Sequence, residues 1–276
     1  MLPLRDNIPP RTFPVVNYLI IAVCGLVFLA QLADSHDGQD EIVETFGMIP
    51  VRVYHPDATI PVEEAVLVRT QDGIEKRTIE RELPPLKFSP WITLLTCTFL
   101  HGGWMHFLGN MWFLHIFGDN VEDRFGHFGY VLFYLGCGIA ASAAHLVLNA
   151  SPTVPTIGAS GAIAGVMGAY LYLYPRAHVE ALVPIVFFIQ IMVVPAPLFL
   201  IIWFAMQFFQ GTFSITSSES GGVAWWAHVG GFAAGFIIAW LLDRGHRLSP
   251  PVEVLRPNTQ RPTVYRYGRS PTIYDG

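Results

Sequence analysis

The sequence predicts an all-α fold of the polytopic membrane kind, a bundle of six transmembrane helices. Three observations point there. Of the 276 residues 52% are apolar and only 13% charged, against about 25% charged in a soluble domain. The charges gather at the two ends, in one long segment after the first apolar run and in short connections. Six runs approach the ~20 mostly apolar residues that a helix needs to cross a ~30 Å hydrocarbon layer, at about 14–33, 103–118, 128–149, 158–174, 182–209 and 224–242.

Residues 1–13 carry Arg5 and Arg11 and read as a cytoplasmic N-terminal segment. The run after them is long, and no small-x-small site clearly follows it, so it reads as a first span and not as a cleavable signal. The membrane domain covers 14–243 and includes a long outer loop, 34–103. In that loop the β-rich stretches 65–70 and 74–80 flank Gln71-Asp72-Gly73, and an Asp-Gly between two such runs signals a hairpin. The second and fourth runs are short, and polar groups interrupt the second. The fifth holds Pro184, Pro195 and Pro197, so its helix should kink or begin late. Residues 244–276 are polar, with Pro250, Pro251, Pro257, Pro262 and Pro271, and read as a disordered cytoplasmic tail.

Lys and Arg in the short flanks set the orientation. Arg5, Arg11, Arg124, Arg176, Arg244 and Arg247 alternate with connections 150–157 and 210–223, which hold neither. Both termini are therefore expected on the cytoplasmic side of a cell (inner) membrane, and spans two, four and six descend from the outer face. The net charge is −5 and the sixteen Lys and Arg form no basic stripe, which argues against a nucleic-acid partner. Cys24, Cys97 and Cys137 are scattered singly, without metal-ligand spacing, and Cys24 and Cys137 read as small buried hydrophobes.

Strongly polar groups inside spans are costly, so each is a functional candidate. They are His106, Asn110 and His115 in span two, His145 in span three, Ser160 in span four, Gln190, Gln207 and Gln210 in span five, and His228 in span six. No Asp or Glu lies within a span, since Asp119, Glu122 and Asp123 follow the end of span two. An aspartyl protease would need two embedded carboxylates, and a zinc protease a His-Glu-x-x-His run. A proton-coupled carrier would want an embedded carboxylate or Lys. Hydroxyl, imidazole and amide remain, the groups of Ser–His acyl chemistry, with no metal or cofactor expected.

Ser160 lies fifteen residues before Pro175, and His228 fifteen before Asp243. Both then sit roughly 22 Å above the inner boundary and about 8 Å below the outer one, with His106 at about 20 Å. Gly161, Gly165 and Gly168 follow Ser160, while Gly231 and Gly235 share the face of His228. Small residues at four-residue spacing let membrane helices approach closely. His106 and Asn110 share one face of span two, either as a packing network or as donors to an oxyanion. His115 falls near the opposite face, His145 reads as structural, and the three Gln read as helix glue or interfacial groups.

Gly158-Ala159-Ser160-Gly161 with Gly165, Ala227-His228 with Gly231 and Gly235, and His106-x-x-x-Asn110 together resemble the rhomboid family of intramembrane serine proteases. The run from His101-Gly102-Gly103 through Gly118-Asp119-Asn120-Val121-Glu122-Asp123 resembles its bacterial members. The resemblance covers about 91–242. It implies a six-helix core that opens to the outer side and cleaves transmembrane protein substrates amid membrane lipids. Ser160 would be the nucleophile and His228 the general base. Asn110, His106 and the Ser160 backbone N–H would form the oxyanion hole. A rhomboid-like chaperone would have lost Ser160 or His228. Two positions depart from the family. Many members have Trp-Arg in the first loop, where this chain has Trp91-Ile92. Some stack an aromatic on the histidine from the position of Ala164, so here other contacts must orient His228. The loop 34–90 is also long for a minimal member.

Overall fold

In the computed structural model, residues 2–34, 41–70, 73–148, 153–185, 188–216 and 224–251 are described. The helices are α1 (Val15–Asp34), α2 (Glu41–Phe46), α3 (Pro50–Tyr54), α4 (Thr93–Thr96), α5 (Trp104–Leu148), α6 (Ser160–Leu173), α7 (Ala196–Thr216) and α8 (Trp225–Arg244). The strands are β1 (Leu2–Asp6), β2 (Ile60–Thr70), β3 (Gly73–Leu83), β4 (His178–Ile185) and β5 (Phe188–Pro195).

The second and third apolar runs form the two arms of α5, which reverses at Gly126 (φ 69°, ψ 161°). A side chain at that positive φ would strain the turn. Each arm, 104–125 and 127–148, is about 33 Å long at 1.5 Å per residue. Leu19, Leu26, Leu29, Leu132, Ile139, Val147, Ile237 and Leu241 are exposed on α1, α5 and α8. Water would tolerate such surfaces poorly and hydrocarbon tolerates them well.

α6 is the centre of the bundle. All of 161–170 is buried, so its sequence can be apolar on every side. With 14 residues it reaches only about 21 Å, short of the ~30 Å layer. One of its ends must therefore lie inside that depth. α6 and α8 touch backbone to backbone. A Cβ on Gly231 would overlap the Gly161 carbonyl oxygen, and one on Gly235 the Gly165 carbonyl oxygen. The small-residue spacing thus has the packing consequence expected of it.

The fifth run departs from a simple span. Strands β4 and β5 pair antiparallel, and β1 joins them to give the order β1-β4-β5. The helix begins only at Ala196, the late entry that the prolines foreshadow. Val179, Val183, Ile191, Val193 and Val194 are β-branched and favour a pleated surface. Pro184 lies beyond the part of β4 that β1 pairs with, so its missing N–H breaks no rung there. Residues 1–13 accordingly include a strand.

The described part of the long loop is structured. β2 and β3 pair in register from Ile60↔Leu83 to Thr70↔Gly73, longer than the expected hairpin, and Gln71 and Asp72 of its turn lie outside the described residues. Of the tail, Ser249 donates its N–H to the Arg124 carbonyl (2.8 Å), and Arg124 Nε donates to the Ser249 carbonyl (2.7 Å). The expectation of disorder over 244–276 thus meets ordered chain at Arg244, which ends α8, and at Ser249, and from 252 onward it falls outside the described residues.

Candidate active site

Ser160 is the first residue of α6, and the preceding segment is pinned to the loop on both sides. Met48 and Thr156 exchange backbone hydrogen bonds (3.0 and 2.8 Å), and Gly158 N–H donates to the Cys97 carbonyl (2.9 Å). Gly158 has φ 129°, and a Cβ there would lie 2.8 Å from His106 Nε2. Only glycine lets the chain turn into α6 against that ring. The N–H groups of the first helical turn have no acceptor within the helix, and the N-cap residue, Ala159, offers no side-chain cap.

Ser160 Oγ lies 2.7 Å from His228 Nε2 on α8. His228 Nδ1 lies 2.6 Å from Gln207 Oε1 on α7. The Trp203 ring lies 5.7 Å and the Trp225 ring 6.0 Å from the imidazole, centre to centre. These contacts hold the ring from α7 and from its own helix α8, while Ala164 of α6 is buried in the core.

His106 and Asn110 stand on the first turns of α5. His106 Nδ1 accepts from the Gly102 N–H (3.3 Å), which puts the proton of a neutral ring on Nε2. That nitrogen faces the place where a Gly158 Cβ would be, and Ser160 Oγ is 3.5 Å from the same point. Asn110 is buried, and its Nδ2 has no hydrogen-bond partner among the described residues. The end of the bundle thus brings together a hydroxyl, an imidazole that can take its proton and the His106 ring, with Asn110 one turn further along α5. Beside Ser160 is a cavity of about 10 Å³, lined by Thr98, Ser142, Gly161 and Ala227 among others, room for about one water.

The remaining candidates lie elsewhere. His115 is exposed, beside the rings of Tyr18 and Trp112. His145 is buried in α5 with Nδ1 unpartnered among the described residues. Gln190 is exposed on β5, and the Gln210 side chain is outside those described. Two buried polar residues of span one escaped the sequence reading. Gln31 brackets the His101 backbone, its Oε1 accepting from the N–H (3.0 Å) and its Nε2 donating to the carbonyl (3.1 Å). Asn17 Nδ2 donates to the Leu114 carbonyl (3.0 Å). The partnership of Gln207 with His228 also went unseen. Its available signal was Trp203-x-x-x-Gln207, two residues on one helical face.

Comparison with known proteins gives the context. The rhomboid domain family model matches residues 89–245, more than half of the chain. Rhomboid-like protein 11, chloroplastic, of Arabidopsis thaliana is 28% identical over 57% of this chain and 54% of its own length. RHOMBOID-like protein 4 of the same plant is 32% identical over 54% of this chain and 33% of its own length. Rhomboid protease GluP of Bacillus subtilis (strain 168) is 41% identical over 30% of this chain and 16% of its own. The chain spans about half the length of the first of these and less of the others.

Proposed function

The chain belongs to the rhomboid family, and on that premise we propose that it is an intramembrane serine endopeptidase that cleaves transmembrane segments of membrane proteins. The observation that carries the reading is the 2.7 Å contact between Ser160 Oγ and His228 Nε2, made by residues on two different helices of a multi-pass membrane protein.

Ser160 is the nucleophile and His228 the general base. The Ser160 hydroxyl gives its proton to His228 Nε2 as Oγ attacks the carbonyl carbon of the scissile peptide bond. Negative charge then develops on the carbonyl oxygen. Asn110 Nδ2, His106 Nε2–H and the Ser160 backbone N–H are the donors for it, worth most where water is scarce. The positive end of the α6 dipole adds to them. His228 returns the proton to the leaving amine, and an acyl-enzyme on Ser160 remains. Water, deprotonated by His228, hydrolyses that ester and restores the hydroxyl.

The site lies near the outer face, about 8 Å below the boundary by the length of its helices. Both termini are cytoplasmic. In support, Arg11 Nη2 donates to the Asp123 carbonyl (3.0 Å) and Arg124 Nη2 pairs with Asp243 (2.5 Å), so the basic residues of the flanks gather at the end away from Ser160, as the charge rule for inner connections requires. A cell membrane fits that orientation.

The test is cleavage of a transmembrane reporter substrate by purified wild type, Ser160→Ala and His228→Ala in lipid. Each variant should stay folded and lose turnover almost completely, because the pair acts as a unit. Substantial turnover by Ser160→Ala would sink the mechanism.

A further inference from the structure

We infer that Gln207 is a positioning residue that fixes the tautomer and the orientation of His228. The inference rests on the reading of Ser160 and His228 as nucleophile and base. A side-chain amide oxygen only accepts hydrogen bonds. With Gln207 Oε1 at 2.6 Å, Nδ1 must carry the proton of the neutral ring. Nε2 then holds the lone pair, and it is Nε2 that faces Ser160 Oγ at 2.7 Å. The opposite tautomer would present an N–H to Ser160 and could not take its proton. A serine protease with an acid–histidine pair solves this problem with a carboxylate, and here a neutral amide is in the corresponding place.

Three features make the contact more than incidental helix glue. Gln207 and His228 are both only 8% exposed, so water competes poorly for either partner. Trp203 lies one turn before Gln207 on α7 and packs against the same ring, so one helical face supplies both the hydrogen bond and the wall. The aromatic rings packed against His228 among the described residues come from α7 (Trp203) and α8 (Trp225), and none comes from α6. His228 is therefore oriented from α7 and its own helix, not from the helix of the nucleophile. The geometry of the base then depends on how α7 is seated.

The test compares the full chain in lipid as wild type, Gln207→Met and Gln207→Glu, with thermal unfolding recorded for each. Met keeps the length and removes the acceptor, while Glu keeps an acceptor. Gln207→Met should lower kcat by roughly tenfold to a hundredfold, less than the ~10²–10⁴ supplied by a whole general base, and leave KM unchanged. The rate at which a fluorophosphonate probe labels Ser160 should fall by the same factor. Gln207→Glu should recover most of both. Wild-type kcat and labelling in a folded Gln207→Met would overturn the inference, as would Gln207→Glu as slow as Gln207→Met at equal stability. Nitrogen NMR of the His228 ring in the wild type decides the matter even if Met fails to fold: a proton on Nδ1 is expected, and one on Nε2 overturns it. Ser160→Ala separates the two levels, since an inactive Ser160→Ala beside a fully active Gln207→Met removes only the role of Gln207.

Discussion

The two ends of the bundle both bury polar groups, and among the described residues each leaves an amide atom unpaired, the acceptor Asn120 Oδ1 at one end and the donor Asn110 Nδ2 at the Ser160 end. At the end away from Ser160, carboxylates are used up. Glu122 accepts from the Val16 and Asn17 N–H groups (3.0 and 2.7 Å), capping α1 from a neighbouring helix, and contacts His127 Nδ1 (2.5 Å). Asp123 accepts from the Arg11 and Thr12 N–H groups and from the Thr12 hydroxyl. Asp6 accepts from Asn120 Nδ2 (2.7 Å) and the Tyr170 hydroxyl (2.6 Å). At the Ser160 end, by contrast, Asn110 Nδ2 is buried without a partner among the described residues, and the N-cap residue of α6, Ala159, offers no side-chain cap. A satisfied buried group stabilises; an unsatisfied one costs free energy unless a ligand completes it. Under the proposed function, one end acts as a latch and the other as a receptor for an oxygen that arrives with the substrate.

The sharpest way to break the comparison is Asn110→Ala. If the amide waits for an oxyanion, its loss should lower kcat by about 10²–10³, with little change in KM. Stability should hold, because no hydrogen bond among the described residues is removed. Steady-state kinetics beside thermal unfolding tests both halves. A variant that unfolds readily but turns over normally when folded would move Asn110 to the structural side.

The mirror experiment is Glu122→Ala. It removes the acceptor for two N–H groups at the start of α1 and strands them. Charge-assisted bonds of this kind contribute about 1.5–3 kcal/mol each, so a loss of about 3 kcal/mol is expected in denaturant unfolding. The kcat of the folded fraction should stay within a few-fold of wild type. A large drop in kcat at unchanged stability would mean that the two ends are coupled and that the latch does more than hold α1.

The same contrast explains what the sequence could and could not reveal. Composition and runs locate helices because burial in hydrocarbon leaves a long apolar signature. Gly161, Gly165, Gly231 and Gly235 announce a close α6–α8 contact because the spacing of small residues is itself the cause of that contact. Ser160 and His228 stand out because polar groups within spans are few. The β4–β5 pair was hidden: an unbroken apolar run in strands reads like one in a helix, and only Pro184 and Pro195 hinted otherwise. Gln207 and the Glu122 cap were hidden for another reason. Each is a partnership between distant segments, 21 residues apart for Gln207 and His228 and 106 for Glu122 and Val16, and one sequence carries no record of which distant groups meet.

The last prediction takes the contrast to the substrate. If the Ser160 end is the oxyanion receptor proposed above, its ligand must present a free carbonyl, and a transmembrane helix has none in its middle because each is bonded within the helix. Ser160 can reach a peptide carbon only where the substrate has unwound over a few residues. Gly and Pro near the outer membrane end make that unwinding easier. Two Gly→Leu changes there should stabilise the substrate helix by about 1.5 kcal/mol and slow cleavage roughly tenfold at similar binding, measured in lipid below saturation. Equal rates for both substrates would remove unwinding from the explanation. The small cavity beside Ser160 would then be the main determinant, and exchanging a small for a bulky residue at the cleavage position should change the rate where the glycines did not.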